Sequence, residues 1–257
     1  MQVSLTASLL VGIGQFFDSD FNPGPTTPLF PGAEVYFVNE SLLRPGNLQV
    51  VTIDPARVRF FRQQTEGEKF FVVCGRDDGP KIMFNGNLFA ADGTALGLQI
   101  SGGKKLSPLN RNSALVTGVF YVTKEGKAKI IHRDSFPALD PATIDFAMQG
   151  GPLIIEPGRI KGISSQSTKP RSRTVIALEK SGKILILTFS YWISLRDIQE
   201  LIMKKFPNIT AALNLDGGGS TASCIRAERQ LGAKQQADNV VSPRDELHFV
   251  IEVRPKP

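Results

Sequence analysis

The chain has 257 residues, 41% hydrophobic and 21% charged; that length supports a real hydrophobic core, and the balance excludes a mainly disordered, collagen-like or coiled-coil protein. Two cysteines and two histidines (His132 and His248) exclude a disulfide-rich scaffold and a four-cysteine zinc site and leave little room for a His-ligated metal or a Ser/His/Asp triad, so no metal and no cofactor is expected. The formal charge of +6 either just keeps the chain soluble or suits an anionic partner such as a phosphate ester or acidic polysaccharide; the densest basic stretch, Lys161 to Arg173, has no interleaved aromatics, and nucleic acid is not expected.

No apolar run in the sequence reaches the roughly 18 residues of a membrane-spanning helix. Leu5 to Gly14 is moderately apolar with no Lys or Arg ahead of it. A degenerate or trimmed export signal, a first strand and an ordinary extension all remain open there. Residues 23–32 read PGPTTPLFPG, a proline density that neither a helix nor a central strand accepts. This is a linker or an extended wrap, so residues 1–32 are expected to precede one domain spanning 33–257.

Strand signals open that domain: Val35 to Val38, Leu48 to Asp54, Val58 to Arg62 and Phe70 to Cys74. Lys81 to Phe84 runs into the turn signal Asn85-Gly86. Val116 to Val122 with Ala128 to His132, and Thr174 to Leu178 with Lys183 to Phe189, read as two hairpins. Ser194 starts a helix in the manner of a capping box; Ile198, Leu201, Ile202 and Phe206 keep helical spacing, and Pro207 stops it. Strands follow at Thr210 to Leu215 and His248 to Val253. The fold class is therefore α+β, with a mixed, largely antiparallel sheet and few helices.

Asn214-Leu215-Asp216-Gly217-Gly218-Gly219-Ser220-Thr221 is the most informative stretch. Three glycines in a row cost backbone entropy and bury no side chain. Such a run is useful where backbone approaches a ligand closely or turns N–H groups toward an anion. Asp216, at the end of an apolar strand, has the chemistry of a nucleophile, a proton carrier or the partner of a developing cation. The plainer reading is a tight turn in which Asp216 satisfies local N–H groups. No G-x-x-x-x-G-K-[ST] occurs, so this is not a nucleotide P-loop.

Three weaker segments accompany it. Asn85 is an amide able to bind a sugar hydroxyl or phosphate oxygen, or simply a turn residue. Gln149-Gly150-Gly151-Pro152 sets a glycine pair before a buried run. Arg173-Thr174 opens a strand, where a fixed guanidinium can grip phosphate in a bidentate way, although a surface arginine is the default. Tyr191 and Trp192 form either a sugar-stacking platform or part of the core. Cys74 and Cys224 either pair or stay as buried thiols, and both histidines are expected to be packed or solvated.

Taken in order, these segments resemble the phosphodiester glycosidase family over about Val35 to Val253. The matching pieces are Asn85-Gly86 with Phe89 and Gly97-Leu98, Gly151-Pro152-Leu153, Arg173-Thr174, then a helix, Asn214 to Ser220 and a closing strand. Arg244 stands near a family arginine. Asn87-Leu88 and the segment Thr188 to Trp192 depart from the family pattern, and the latter borders the expected site. The resemblance implies a bacterial-type, exported hydrolase that cleaves a sugar-1-phosphodiester into free sugar and a phosphomonoester. It implies Asp216 and Arg173 as catalytic residues. Asn85, Gly86, Gln149, Gly150, Gly151, Thr174, Asn214, Gly217, Gly218, Gly219 and Ser220 are the implied substrate-binding residues. Asp92, Asp145 and Glu156 are unranked candidates for a second carboxylate. The alternative is a non-catalytic module that binds phosphorylated or anionic glycan with the same loop.

Overall fold

The computed structural model describes residues 21–39, 47–76, 79–156, 159–160, 169–228 and 240–257. The apolar stretch Leu5 to Gly14 and part of the basic stretch, residues 161–168, lie outside the described residues.

The strands form three sheets rather than one. The largest runs in the order Asn22–Pro23, Ala33–Asn39, Asn47–Ile53, Ile184–Ile193, Arg171–Glu179, Ile209–Gly217, Leu153–Glu156, Arg159–Ile160, and Thr27–Phe30 also pairs with Ala33–Asn39. The second has the order Ala128–His132, Gly118–Thr123, Ile144–Gly150, Gln99–Ser101, Lys104–Ser107. The third has the order Val240–Val241, Ser223–Arg226, Lys81–Asn85, Phe249–Pro255, Val58–Gln64. Pairing throughout these strands is antiparallel, as between Arg171–Glu179 and Ile184–Ile193, and the class is α+β.

The prolines of the 23–32 segment shape an extended wrap. Thr27–Phe30 is a peripheral strand, and Leu29 and Phe30 are buried in the main core, so the packed part of the chain begins ahead of Ala33.

The large sheet is covered on both faces, and its residues show it by alternation. Val175 and Ala177 pack on one side with Leu185, Leu187 and Ala212. Ile176, between them in sequence, packs on the other with Ile186 and Leu213. Side chains of period two on a doubly covered sheet give continuous apolar runs, and Ile184 to Leu187 is such a run. On the Ile176 side the two smaller sheets close the core. Phe60, Phe120 and Phe146 meet there, with ring centroids 5.5–6.1 Å apart.

The other face is covered by the helix Leu195–Lys205. Its N-cap is Ser194, whose Oγ accepts the Asp197 N–H at 3.1 Å. Asp197 lies in the first turn and Lys204 and Lys205 in the last, the charge order that favours the helix dipole. Leu195, Ile198, Leu201 and Ile202 are buried, each contributing about 1.5–3 kcal/mol.

One predicted strand is a helix. Phe70–Gly75 is helical, with Phe70, Val73 and Cys74 buried and Phe71 and Val72 exposed. Five apolar residues in succession do not separate strand from helix by composition. The buried set at i, i+3 and i+4 does, and it docks with Met83, Cys224 and Val250. Cys74 and Cys224 form a disulfide across 150 residues of sequence, which joins this helix to the strand Ser223–Arg226. His132 accepts the Asp134 N–H at the start of a 3-10 helix, and His248 packs edge-on against Phe89.

Candidate active site

The strand Ile209–Gly217 delivers Asp216 to its end, and a 3-10 turn, Gly218–Ser220, follows at once. Gly218 has φ +68°, a left-handed conformation that glycine adopts without a Cβ penalty. At Gly219 the carboxylate of Asp245 occupies the place a Cβ would take. The Gly219 carbonyl accepts the N–H groups of Arg244, at 2.7 Å, and Asp245, at 3.1 Å. The glycine run therefore does two things: it turns the chain, and it lets a second acidic side chain lie against the loop.

Asp216 is half-buried. Its Oδ1 accepts the Gly217 N–H at 2.8 Å, and the Ser220 side chain also bonds to it. Burial pushes its carboxyl above the usual range, and the charge of Asp245 adds to this. The Gly217 and Ser220 bonds and the nearby Arg173 cation pull the other way without reversing the direction.

Arg173 pairs across the sheet with Gly217. Its Nη2 donates to the Lys169 carbonyl at 3.2 Å, while its Nε is buried without a partner. Burial and then the like charge of Arg171 lower its pKa, against the pull of Asp216; a guanidinium remains a cation under such shifts. Arg171 lies beside Gly218, so two guanidinium groups border the loop.

Asn85, Gly86 and Thr174 form the bracket behind Asp216. Asn85 Nδ2 donates to the Asp216 carbonyl at 2.8 Å, and the Asp216 N–H donates to the Gly86 carbonyl at 3.2 Å. Asn85 Oδ1 accepts the Thr174 hydroxyl at 2.6 Å and the Ala222 N–H at 3.0 Å. Asn85 and Thr174 are both buried. Their polar groups therefore face the protein and hold the Asp216 backbone.

Gln149, Gly150, Gly151 and Asn214 form a second knot. Gln149 Oε1 accepts the N–H groups of Leu98 and Asn110, each at 2.9 Å. Its Nε2 donates to the carbonyls of Asn110, at 2.7 Å, and Val116, at 2.8 Å. Both ends of that amide are thus committed to backbone, and it anchors two loops rather than lying open to a ligand. Asn214 Nδ2 donates to the Gly151 carbonyl at 2.8 Å and to that of Leu215 at 2.6 Å, and the Gly151 N–H returns a bond to the Asn214 carbonyl. Gly150 packs closely on that same carbonyl. Asn214 Oδ1 is buried and unpartnered.

The acidic residues around the loop differ from those the sequence singles out. Asp145 stands 3.8 Å from Arg59. Asp92 accepts the Thr94 N–H in its own turn, and Glu156 is buried at the end of Leu153–Glu156. Asp245 is the acidic neighbour of Asp216. Its sequence context, Arg244-Asp245-Glu246, has the look of a solvated charge cluster, and no local motif distinguishes it. Tyr191 is core, 5.7 Å from the Phe189 ring, whereas Trp192 is 66% exposed. Among the described residues no group of three His, Cys, Asp or Glu side chains gathers as metal ligands, and no helix is long and apolar enough to cross a membrane.

A carboxylate, a guanidinium and a glycine loop thus meet at one strand end. The family model described as phosphodiester glycosidase matches residues 78–246, which include the Asn85 bracket, Arg173 and the glycine loop. The chain belongs to the phosphodiester glycosidase family. Solved structures share the fold at low identity. The catalytic domain of zebrafish N-acetylglucosamine-1-phosphodiester α-N-acetylglucosaminidase, auto-inhibited by its pro-peptide, superposes with a TM-score of 0.61 at 14% identity, over 91% of this chain and 83% of that one. A putative exported protein from Burkholderia pseudomallei K96243 gives 0.57 at 11% identity, over 86% and 76%. A hypothetical protein from Synechocystis gives 0.54 at 16%, over 91% of this chain and 64% of that one. None of the curated proteins compared matches the chain.

Proposed function

We propose that this chain hydrolyses the glycosidic C1–O bond of a sugar-1-phosphodiester, releasing free sugar and a phosphomonoester. The observation that carries the reading is Asp216 and Arg173 standing together at the glycine loop. Cleavage of a glycosidic bond passes through an oxocarbenium-like transition state. Asp216 in its ionised form stabilises the positive charge that grows at C1. The departing phosphate is a weak base, so it needs a cationic cradle more than a strong acid. Arg173, with Arg171 beside it and the loop N–H groups, supplies that cradle. Asn85 and Thr174 act through Asp216 as positioning residues.

Family membership and the likeness to the zebrafish enzyme's catalytic domain support this reading. The Cys74–Cys224 disulfide supports an exported protein, because such bonds persist in oxidising compartments.

The test is release of free sugar from a panel of α-sugar-1-phosphodiesters by the parent chain and by Asp216→Asn. Turnover by the parent alone supports the reading. Binding that survives Asp216→Asn, with no turnover by the folded parent, would replace it with a module that holds anionic glycan.

A further inference from the structure

At the end of the molecule away from Asp216 lies a cavity of about 170 Å³ whose charged lining is Arg59, Lys124, Lys256 and Asp145. Two strands set it apart from the glycine loop. Asn85, bonded to the Asp216 backbone, pairs with Val250, and the strand Phe249–Pro255 runs from there to Pro255, which pairs with Val58 in the cavity wall. At about 3.3 Å per residue, the run from Val250 to Pro255 is about 17 Å long. Gly118 pairs with Gly150, which packs on Asn214, and its strand likewise ends at Thr123 in the cavity wall.

The walls are fixed from separate parts of the chain. The apolar lining is Val58, Phe60 and Val122, all buried in the main core. Gly126, at φ +80°, closes one side so tightly that a Cβ there would lie 2.8 Å from the Ala56 Cα and 3.3 Å from Lys256 Nζ. Lys256 donates from its backbone N–H to the Arg57 carbonyl and from its ammonium to the Ala56 carbonyl, each at 2.8 Å. The Lys124 N–H donates to the Thr143 carbonyl at 2.9 Å.

The charges of this lining do not balance: three cations face one carboxylate. Asp145, a candidate second carboxylate on sequence grounds, stands 3.8 Å from Arg59 Nη2, outside hydrogen-bond range. Glu125, next to Lys124 in sequence, is taken by Lys127 at 2.9 Å. Among the described residues neither Lys124 nor Lys256 has a carboxylate partner. A concave site with an excess of one sign and an apolar wall concentrates its field on whatever enters. A tetrahedral oxyanion suits it, because its oxygens take the Arg59 fork in pairs and the two ammonium groups as point charges. The volume is well below the roughly 300–1,000 Å³ of pockets that enclose drug-sized ligands, so the occupant is a single charged group rather than a ring.

We infer that this cavity is an anion site in which Arg59, Lys124 and Lys256 hold one phosphate or sulfate group. It is separate from the glycine loop and independent of the reaction proposed there. The group arrives either as the free ion or as the monoester end of a larger molecule.

Nuclear magnetic resonance of the isotope-labelled full-length chain tests this, since the Gly126 amide reports the cavity and the Gly218 amide reports the loop. Inorganic phosphate and sulfate, titrated against chloride at constant ionic strength, are expected to shift Gly126 saturably. Lys124→Ala, at an exposed position, is expected to bind them about tenfold more weakly through loss of one charge-assisted contact. Asp145→Asn is expected to bind them about fivefold more tightly, the size of one unit-charge interaction near 4 Å in water. Glycerol phosphate separates the two sources: a matching shift of Gly126 means a site for an esterified group, and a response to the free ions alone means a site for the ion. The inference is overturned if Gly126 responds to none of these anions, if phosphate shifts Gly218 alone, if Lys124→Ala binds as the parent does, or if Asp145→Asn weakens binding.

Discussion

Asn85 Nδ2 donates to the carbonyl of Asp216 at 2.8 Å, while the same side chain's oxygen takes the Thr174 hydroxyl and the Ala222 N–H. One buried amide thus ties the Asp216 backbone to Thr174 of the strand Arg171–Glu179 and to Ala222, just ahead of Ser223–Arg226. Replacing it by alanine leaves three buried polar groups unpaired. Asn85→Ala is expected to lower stability by about 2–4 kcal/mol and to reduce kcat far more than it raises KM. Thr174→Val removes a single bond and is expected to cost about 1 kcal/mol. Urea unfolding and steady-state kinetics check both; a change confined to KM would mean that Asn85 touches substrate.

Asp216→Asn is expected to abolish turnover without unfolding the protein, because the amide oxygen can still accept the Gly217 N–H. The linkage sign follows from the raised pKa. A carboxyl whose folded pKa lies above its unfolded value favours folding while it is protonated. That contribution is full below the unfolded value, near 4, and is lost as pH rises through the folded one. Asp216→Asn is therefore expected to match or exceed the parent in Tm at neutral pH and to gain relative to it across that window. The acid limb of kcat/KM in the parent is expected to lie above the ordinary aspartate range. Thermal melts and rate profiles between pH 3 and pH 7 (roughly the span that brackets these values) decide it.

Arg173→Met removes the cation that the proposed reaction assigns to the departing phosphate and is expected to lose about 100–1,000-fold in kcat/KM. Arg173→Lys is expected to recover little, since an ammonium lacks the planar fork. Full recovery by lysine in the diester assay would reduce the role of Arg173 to point charge.

The loop glycines separate two effects. Gly218→Ala places a Cβ at φ +68° and is expected to cost about 1–2 kcal/mol of stability. Gly219→Ala meets the Asp245 carboxylate and displaces a group beside Asp216; if Asp216 carries the proposed reaction, a shift of about 1 Å there can cost 100-fold in rate. Stability losses are expected to be larger at Gly218 than at Gly219 once scaled to activity lost. Paired melts and rates on the two variants test that order.

Reduction of Cys74–Cys224 frees a ring of 150 residues and is expected to lower stability by about 2–5 kcal/mol. Cys224 lies two residues beyond Ala222, whose N–H bonds to Asn85, so activity is expected to fall before global unfolding. A dithiothreitol titration that follows rate and far-ultraviolet dichroism together resolves the order of the two losses.

Much of the scaffold was legible in the sequence because its signals are local. Ser194 with Asp197 started the helix where expected, and the two hairpins kept their pairing. Asp216 and its glycines stood out because three glycines in succession have few structural uses. Phe70 to Cys74 misled because its helical periodicity appears only once Phe71 and Val72 are seen to be exposed. The work of Gln149 was out of reach for a different reason: its four partners come from residues 33–51 positions away, and nothing adjacent announces them. Asp245 was invisible on the same ground. Its proximity to Gly219 arises from a loop docking 26 positions downstream.

The Cys74–Cys224 bond encloses Asn85, Arg173 and Asp216 but leaves Arg244 and Asp245 on the tail outside it. A single protease cut anywhere inside the ring therefore yields two fragments that still travel as one molecule until a reductant is added. A cut after residue 228 instead leaves the segment that carries Asp245 without a covalent tie, held by the pairing of Phe249–Pro255 with Lys81–Asn85 and Val58–Gln64. Protein nicked inside the ring thus retains every enclosed site residue on one covalent body, whereas a nick beyond it leaves Asp245 attached to the site by sheet pairing and packing alone.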